Sequence, residues 1–239
     1  MTGAPHSLNA AREAARSRKR RRRIVAASVA GGLLLVLLAA VWVFWYSSLF
    51  VVREVEVGGT SLLTRDEVTA AAQVEQGAPL ASVDLAAVGA RVGSLAPVAS
   101  VEVSRSFPDR VVIDVTERRL VFVRQSGAAY SWVDPEGIEF HSSTEPPQGV
   151  PVALLGSAET RLLADIAEVV SHLPDALAGE AVVLPRPSVD RIELQLPEDR
   201  TVVWGSADDS ELKSQVLAAL LSVEAQVYDV SAPNHPTTR

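Results

Sequence analysis

Six consecutive basic residues, Arg18 to Arg23, run directly into twenty-three residues, Ile24 to Tyr46, that carry no charge. At about 1.5 Å per residue a helix over this stretch is roughly 34 Å long, against a bilayer hydrocarbon core of about 30 Å. The pattern predicts one membrane-spanning helix over 24–46. Basic flanks stay on the cytoplasmic side, so residues 1–23 form a cytoplasmic tail and everything after Tyr46 lies outside, a single-pass type II arrangement in the plasma membrane. Arg22 and Arg23 then mark the inner membrane boundary. Trp42, Trp45 and Tyr46 mark the outer one, where amphipathic rings favour the headgroup level. A cleaved signal peptide has a shorter apolar core ending in small residues, so this segment is expected to stay as an anchor. The lipid bilayer is the first partner the sequence implies.

Charge separates the two sides. Residues 1–23 hold eight Lys/Arg and one Glu, a balance of +7; the whole chain is −7, so the remainder carries −14. An acidic exterior portion argues against nucleic acid, whose phosphates need positive patches. There is no cysteine, which removes disulfides, thiol chemistry and Cys-ligated metals. With about 190 residues beyond the membrane, the exterior part is large enough to stand on hydrophobic packing in one or two domains.

Along that part, Val51 to Val57 alternates as a strand and closes at Gly58-Gly59. Thr64 and Glu67 have capping-box spacing for a helix that Gly77 and Pro79 stop. Asp84 starts a second helix with Leu85, Val88, Val92 and Leu95 at helical spacing, ending near Pro97. Strands follow at Val98 to Ser104 and Arg110 to Glu117, joined by Ser106-Phe107-Pro108-Asp109. The order strand, helix, helix, strand, strand suits two helices on one side of a three-stranded sheet. Beyond Glu117-Arg118-Arg119 come short strands at Leu120 to Gln125, Ala129 to Val133 and Ile138 to His141, with an Asp134-Pro135-Glu136-Gly137 turn. A stripe of Leu162, Ile166, Val169, Val170 and Leu173 predicts a helix. Further strands are predicted at Ala181 to Leu184, Val189 to Leu196, Thr201 to Trp204 and Gln226 to Val230, with a last helix over Ser210 to Ala225.

No catalytic constellation emerges. Ser210 and Lys213 have S-x-x-K spacing, but neither S-D-N nor K-T-G occurs, and Ser210 reads as a helix cap. His6, His141, His172 and His235 are scattered, without clustered metal-ligand spacing. No phosphate-binding glycine loop is present. The expectation is a non-enzymatic protein with no cofactor, no metal and no small-molecule substrate. Trp132 and Trp204 read first as core residues and second as interface anchors.

Val51 to Gly59, the V-x-R-x-F-P-x-x-V-x-I-x-V-x-E-R pattern at Val103, Arg105, Phe107, Pro108, Val111, Ile113, Val115, Glu117 and Arg118, and Val133-Asp-Pro-Glu-Gly137 resemble the bacterial FtsQ/DivIB cell-division family. The Arg- and Ala-rich, Lys-poor composition suits an actinobacterium. The resemblance implies an α+β ectodomain on the single N-terminal transmembrane helix. Its parts are a β-α-α-β-β POTRA domain over 50–118, a mixed β-rich domain with helices over 119–232, and an irregular C-terminal tail over 233–239. It further implies a scaffold of the divisome at the septum, linking early and late division proteins and helping control septal peptidoglycan synthesis. Partners would be the small bitopic proteins FtsB and FtsL, docked by strand addition at an edge near the C-terminus. The matching segment is Val227, Tyr228, Asp229, Val230 and Ser231. Family members of Gram-negative organisms continue into a further strand, where this chain has Pro233 and Pro236. On this reading Tyr228→Pro or Val230→Asp weakens capture and leaves the fold largely intact. The alternative is a POTRA-bearing envelope receptor or chaperone for secreted polypeptides.

Overall fold

The computed structural model of the chain describes residues 27–38, 42, 50–156, 159–174, 177, 179, 181–184 and 190–239. Of the predicted span, residues 27–38 (α1) and Trp42 are described, and all are helical. Val29, Leu33 to Leu38 and Trp42 are exposed, Trp42 by 64%. Among the described residues no helix is long and apolar enough to cross a membrane. Arg22, Arg23, Trp45 and Tyr46 lie outside the described residues.

Beyond Phe50 the order is β1 (Glu54–Gly58), α2 (Arg65–Ala72), α3 (Leu85–Gly93), β2 (Val98–Ser106) and β3 (Arg110–Glu117). The three strands form a sheet in the order β1-β3-β2. Two compact units are present. One gathers the residues up to Glu56 with Val74–Leu85 and Ser104–Val112; the other holds Val57–Gln73, Ala86–Val103 and Ile113–Arg239.

In the first unit the approach to β1 is stitched to the 74–85 segment: Val52 N–H donates to Ala78 O at 2.9 Å and Gly77 N–H to Val52 O at 2.8 Å. Val52, Leu80 and Val111 are fully buried. Arg105 donates from Nε to Leu80 O at 2.9 Å and from Nη2 to Val83 O at 2.6 Å, so its cation satisfies loop carbonyls and is no free docking group.

In the second unit α2 starts as its capping box dictates. Glu67 N–H donates to Thr64 Oγ1 at 3.2 Å, and Glu67 Oε2 accepts from Thr64 N–H at 2.8 Å. The helix ends sooner than Gly77: Gln73 adopts φ 49°, and the Arg91 guanidinium takes up Ala72 O with two bonds of 3.0 and 2.7 Å. A side chain nineteen residues away thus supplies the C-terminal stop. Gly59 (φ 78°) lies so close to Val115 O that any Cβ there would collide with it.

Glu117 closes the same loop. Its carboxylate accepts the N–H groups of Ser61 at 3.0 Å, Leu62 at 2.9 Å and Leu63 at 2.8 Å, and the Ser61 hydroxyl at 2.6 Å. Burial pushes the carboxyl pKa up, but these donors outweigh it and bring it from 4.5 to about 2. The folded state therefore holds this proton more weakly than the unfolded chain does. Its stabilisation is complete above pH 4.5 and is lost as pH falls through about 2. Thermal unfolding between those limits should be distinctly less pH-dependent in Glu117→Gln than in the parent. At neutral pH that variant should lose about 1–2 kcal/mol, because solvent screens a half-exposed anion.

The rest of the second unit carries β4 (Phe122–Ser126), β5 (Ala129–Val133), β6 (Glu139–Ser143), β7 (Val152–Leu154), α4 (Thr160–Ser171), β8 (Val182–Val183), β9 (Ile192–Gln195), β10 (Thr201–Gly205), α5 (Ser210–Leu220), β11 (Val227–Asp229) and β12 (Thr237–Thr238). They build one nine-stranded sheet in the order β12-β11-β10-β9-β8-β7-β4-β5-β6. β7/β8 and β10/β11 are parallel pairs, bridged by α4 and α5 as crossovers; β4/β7 is also parallel. Leu163, Ile166, Ala167, Val169 and Val170 of α4 and Leu217 of α5 pack in one core with Phe122, Val183, Leu194, Val202, Trp204 and Tyr228. In the predicted stripe Leu162 is only half-buried, and Leu163 takes the core position.

Arg118 and Asp134 pin the start of this sheet. Asp134 is fully buried and accepts from Arg118 Nη1, Glu136 N–H at 3.0 Å and Ile138 N–H at 2.8 Å. Gly137 (φ 77°) lets the turn press onto α4, where a Cβ would overlap Thr160 O and Ala164 N. Gly137→Ala should therefore push the turn off α4, with a loss of about 2 kcal/mol or more in chemical denaturation.

Candidate functional site at the C-terminal end of the sheet

β11 was expected at an edge. It is instead the second strand from the end, because Thr237–Thr238 pairs outside it, with Tyr228 opposite Thr238 and Asp229 opposite Thr237. Val227 N–H donates to Arg239 O at 2.8 Å, and Arg239 N–H to Val227 O at 3.0 Å. The tail after Ser231 is thus not wholly irregular. His235 N–H donates to Ala232 O at 2.9 Å in the turn that brings the chain back, leaving Pro236 immediately ahead of β12.

The expected site residues are largely structural. On the β10 side, Thr201 N–H donates to Gln226 O at 2.9 Å and Val230 N–H to Val203 O at 3.0 Å. By the alternation of a ladder, the Gln226 carbonyl and residues 228 and 230 bond towards β10, while 227 and 229 bond towards β12, where Gln226 N–H also donates to Arg239 O at 2.8 Å. Tyr228 is 1% exposed and donates its hydroxyl to Val223 O at 2.8 Å; Val230 is fully buried. Asp229 Oδ1 accepts from Ser231 N–H at 3.0 Å and from Ser231 Oγ at 2.6 Å, turning the chain away. Only Ser231 of the five is exposed, and its Cβ sits against Gly205 (φ 81°).

The outer edge therefore belongs to β12. Its Thr237 faces β11, so Thr238 presents N–H and C=O outward, and Pro236 beside it has no N–H to offer. Periodicity missed this strand because two residues flanked by proline give no pattern. The β-branched Thr-Thr pair was the available signal.

Among the described residues, the serine and lysine of the S-x-x-K spacing are engaged with other groups. Ser210 Oγ accepts from Trp204 Nε1 at 3.1 Å and donates to Ala207 O at 2.8 Å, while Lys213 Nζ donates to Ser206 O at 2.8 Å. Ser210 does not cap α5, since Asp209 holds the N-cap position in a left-handed conformation. Burial lowers the Lys213 pKa, against the upward pull of Asp208 and Asp209. Trp204 is core; Trp132 is half-buried, edge-on to Phe140 and His141, with Nε1 donating to Ser143 Oγ at 3.1 Å. A cleft lined by Arg119, Leu120, Val150, Pro151, Val170 and Ser171 contains no acid or histidine. Among the described residues no group of three His, Cys, Asp or Glu could hold a metal ion.

Residues 50–118 match the FtsQ-type POTRA domain. A cell division protein FtsQ of Streptomyces griseus is 40% identical over 202 residues, which cover 80% of this chain and 97% of that protein. The chain belongs to the FtsQ family. FtsQ of Streptomyces venezuelae is 38% identical, with 83% of this chain and 78% of that protein covered. FtsQ of Mycobacterium tuberculosis is 32% identical over 82% of this chain and 62% of that protein. The extracytoplasmic domain of DivIB from Geobacillus stearothermophilus aligns with a TM-score of 0.36 at 13% identity, over 50% of this chain and 98% of that one. FtsQ membership makes this a cell-division protein, built as a POTRA domain followed by a mixed β-rich fold with helices.

Proposed function

We propose that this FtsQ-family chain is a non-enzymatic scaffold of the divisome, anchored once by residues 24–46 with its N-terminus cytoplasmic. Residues 50–118 and 119–232 act outside as the POTRA and β domains. The scaffold links early and late division proteins at the septum. It binds FtsB/FtsL-like bitopic partners by adding a strand to the sheet, and so helps control septal peptidoglycan synthesis. The supporting observation is the outer edge of β12, where Thr238 turns its backbone groups away from β11. This moves the contact from Val227–Ser231, which are mostly committed to the fold, to the strand that covers them.

Capture of the co-resident FtsB/FtsL-like pair by the purified protein tests it. Thr238→Pro deletes the outward N–H and spares every bond between β11 and β12, so it should weaken capture about tenfold with an unchanged melting temperature. Unweakened capture would rule out docking on β12 and point to the other free edge, β6. Failure to capture the pair at all, with exported unfolded polypeptides co-purifying instead, would replace the scaffold by an envelope receptor. A midcell band of N-terminally tagged protein in dividing cells is the expected localisation; uniform membrane signal would contradict it.

A further inference from the structure

The Phe-Pro pair in the β2–β3 turn is the exposed part of the FtsQ-like pattern. Phe107 is 55% exposed and Pro108 is exposed too, although Arg105, two residues earlier, is fastened to Leu80 O and Val83 O. The Phe107 ring meets Phe50 edge-on at 6.3 Å between centroids. The turn is held in place: Asp109 O accepts from Arg53 N–H at 2.9 Å, and the Arg53 guanidinium lies 3.7 Å from the Asp109 carboxylate. A turn held in this way presents an aromatic ring and a proline to the outside, beside Phe50.

Chain length says what covers them. Phe50 follows Tyr46, the last residue of the proposed span, by four positions, which span at most about 14 Å fully extended. The headgroup layer is itself roughly 5–7 Å deep on each side of the hydrocarbon. We infer that the Phe107-Pro108 turn, with Phe50, rests in the outer headgroup layer and fixes how the POTRA domain stands on the membrane. Aromatic rings partition to that level, and Arg53, 58% exposed beside the turn, suits lipid phosphates. The turn then serves as a second, reversible membrane contact. This rests on the anchoring proposed above.

The cysteine-free chain makes the test direct, since one introduced thiol labels one site. Ser47→Cys, Phe107→Cys and Arg53→Cys are each coupled to an environment-sensitive fluorophore in full-length protein, in vesicles of phosphatidylcholine and phosphatidylglycerol. Nitroxide-headgroup lipid should quench the labels at 47, 107 and 53, and aqueous iodide should quench 107 weakly. Arg53 guards against local disturbance by the label at 107. Lipid quenching at 47 with only iodide quenching at 107 and 53 would overturn the inference and leave the anchor standing. Protection of 107 from both quenchers would also overturn it, in favour of a protein covering the turn. No lipid quenching at 47 would remove the anchor, and the inference with it.

Discussion

Tyr228→Pro should abolish folding of the nine-stranded sheet. The substitution removes a ring that is 1% exposed within the main core, a loss of about 3–5 kcal/mol for a large aromatic. It also deletes the N–H that faces β10 in the parallel ladder, and proline inside a strand adds its own cost. The total rivals the entire stability of a typical domain, roughly 5–15 kcal/mol. Chemical denaturation followed by near-UV circular dichroism should show no cooperative transition. Tyr228→Phe should behave quite differently: it forfeits only the hydroxyl bond to Val223 O, about 1 kcal/mol. A folded Tyr228→Pro protein would mean that β11 is peripheral. Loss of partner capture in such a variant would report unfolding, which is why Thr238→Pro is the sharper probe of docking.

Asp134→Ala comes second in size, at about 3–5 kcal/mol of lost stability. The carboxylate is buried and fully engaged by Arg118 and two backbone N–H groups, while the Arg118 side chain is only 18% exposed and its Nε is buried without a partner. Removing the anion leaves a cation with little access to water and a turn with two orphaned donors. Glu136→Ala is the matched control. That carboxylate is 68% exposed and 4.0 Å from Arg118, so its loss should change unfolding by about 0–1 kcal/mol. Equal effects of the two variants in urea titrations would refute the assignment.

What could be read from the sequence was whatever a few neighbouring residues decide. The α2 start is encoded by Thr64 and Glu67 themselves, and β3 by the alternation of Val111, Ile113 and Val115. Its end was not, because Arg91 and the Gln73 conformation supply the stop. The spacing of Tyr228 and Val230 puts both on one face of a strand, as found. Nothing local states that this face is the core, or that Thr237–Thr238 will lie outside it. β7 was missed for the same reason: three residues pairing with β4 thirty positions earlier carry no periodicity of their own. α5 is shorter than its predicted range, since Leu221, Val223 and Ala225 continue an apolar texture after the helix has ended at Leu220. The Glu117-Arg118-Arg119 stretch is the clearest case of chemistry hidden in composition. Its three charges divide into a loop clasp, a buried ion pair and one exposed cation.

The strand order of the large sheet nearly follows the order of the chain. Once β4, β5 and β6 have formed their meander, β7 joins β4, β8 joins β7, and so on to β12, each addition extending the same flank. A chain delivered from its N-terminus can therefore assemble this sheet as it arrives, without waiting for a distant segment to fill a central gap. The cost lies in timing. Parallel pairing across α4 and α5 is non-local and slow, so every intermediate carries an unpaired strand on the growing flank until the next strand joins it.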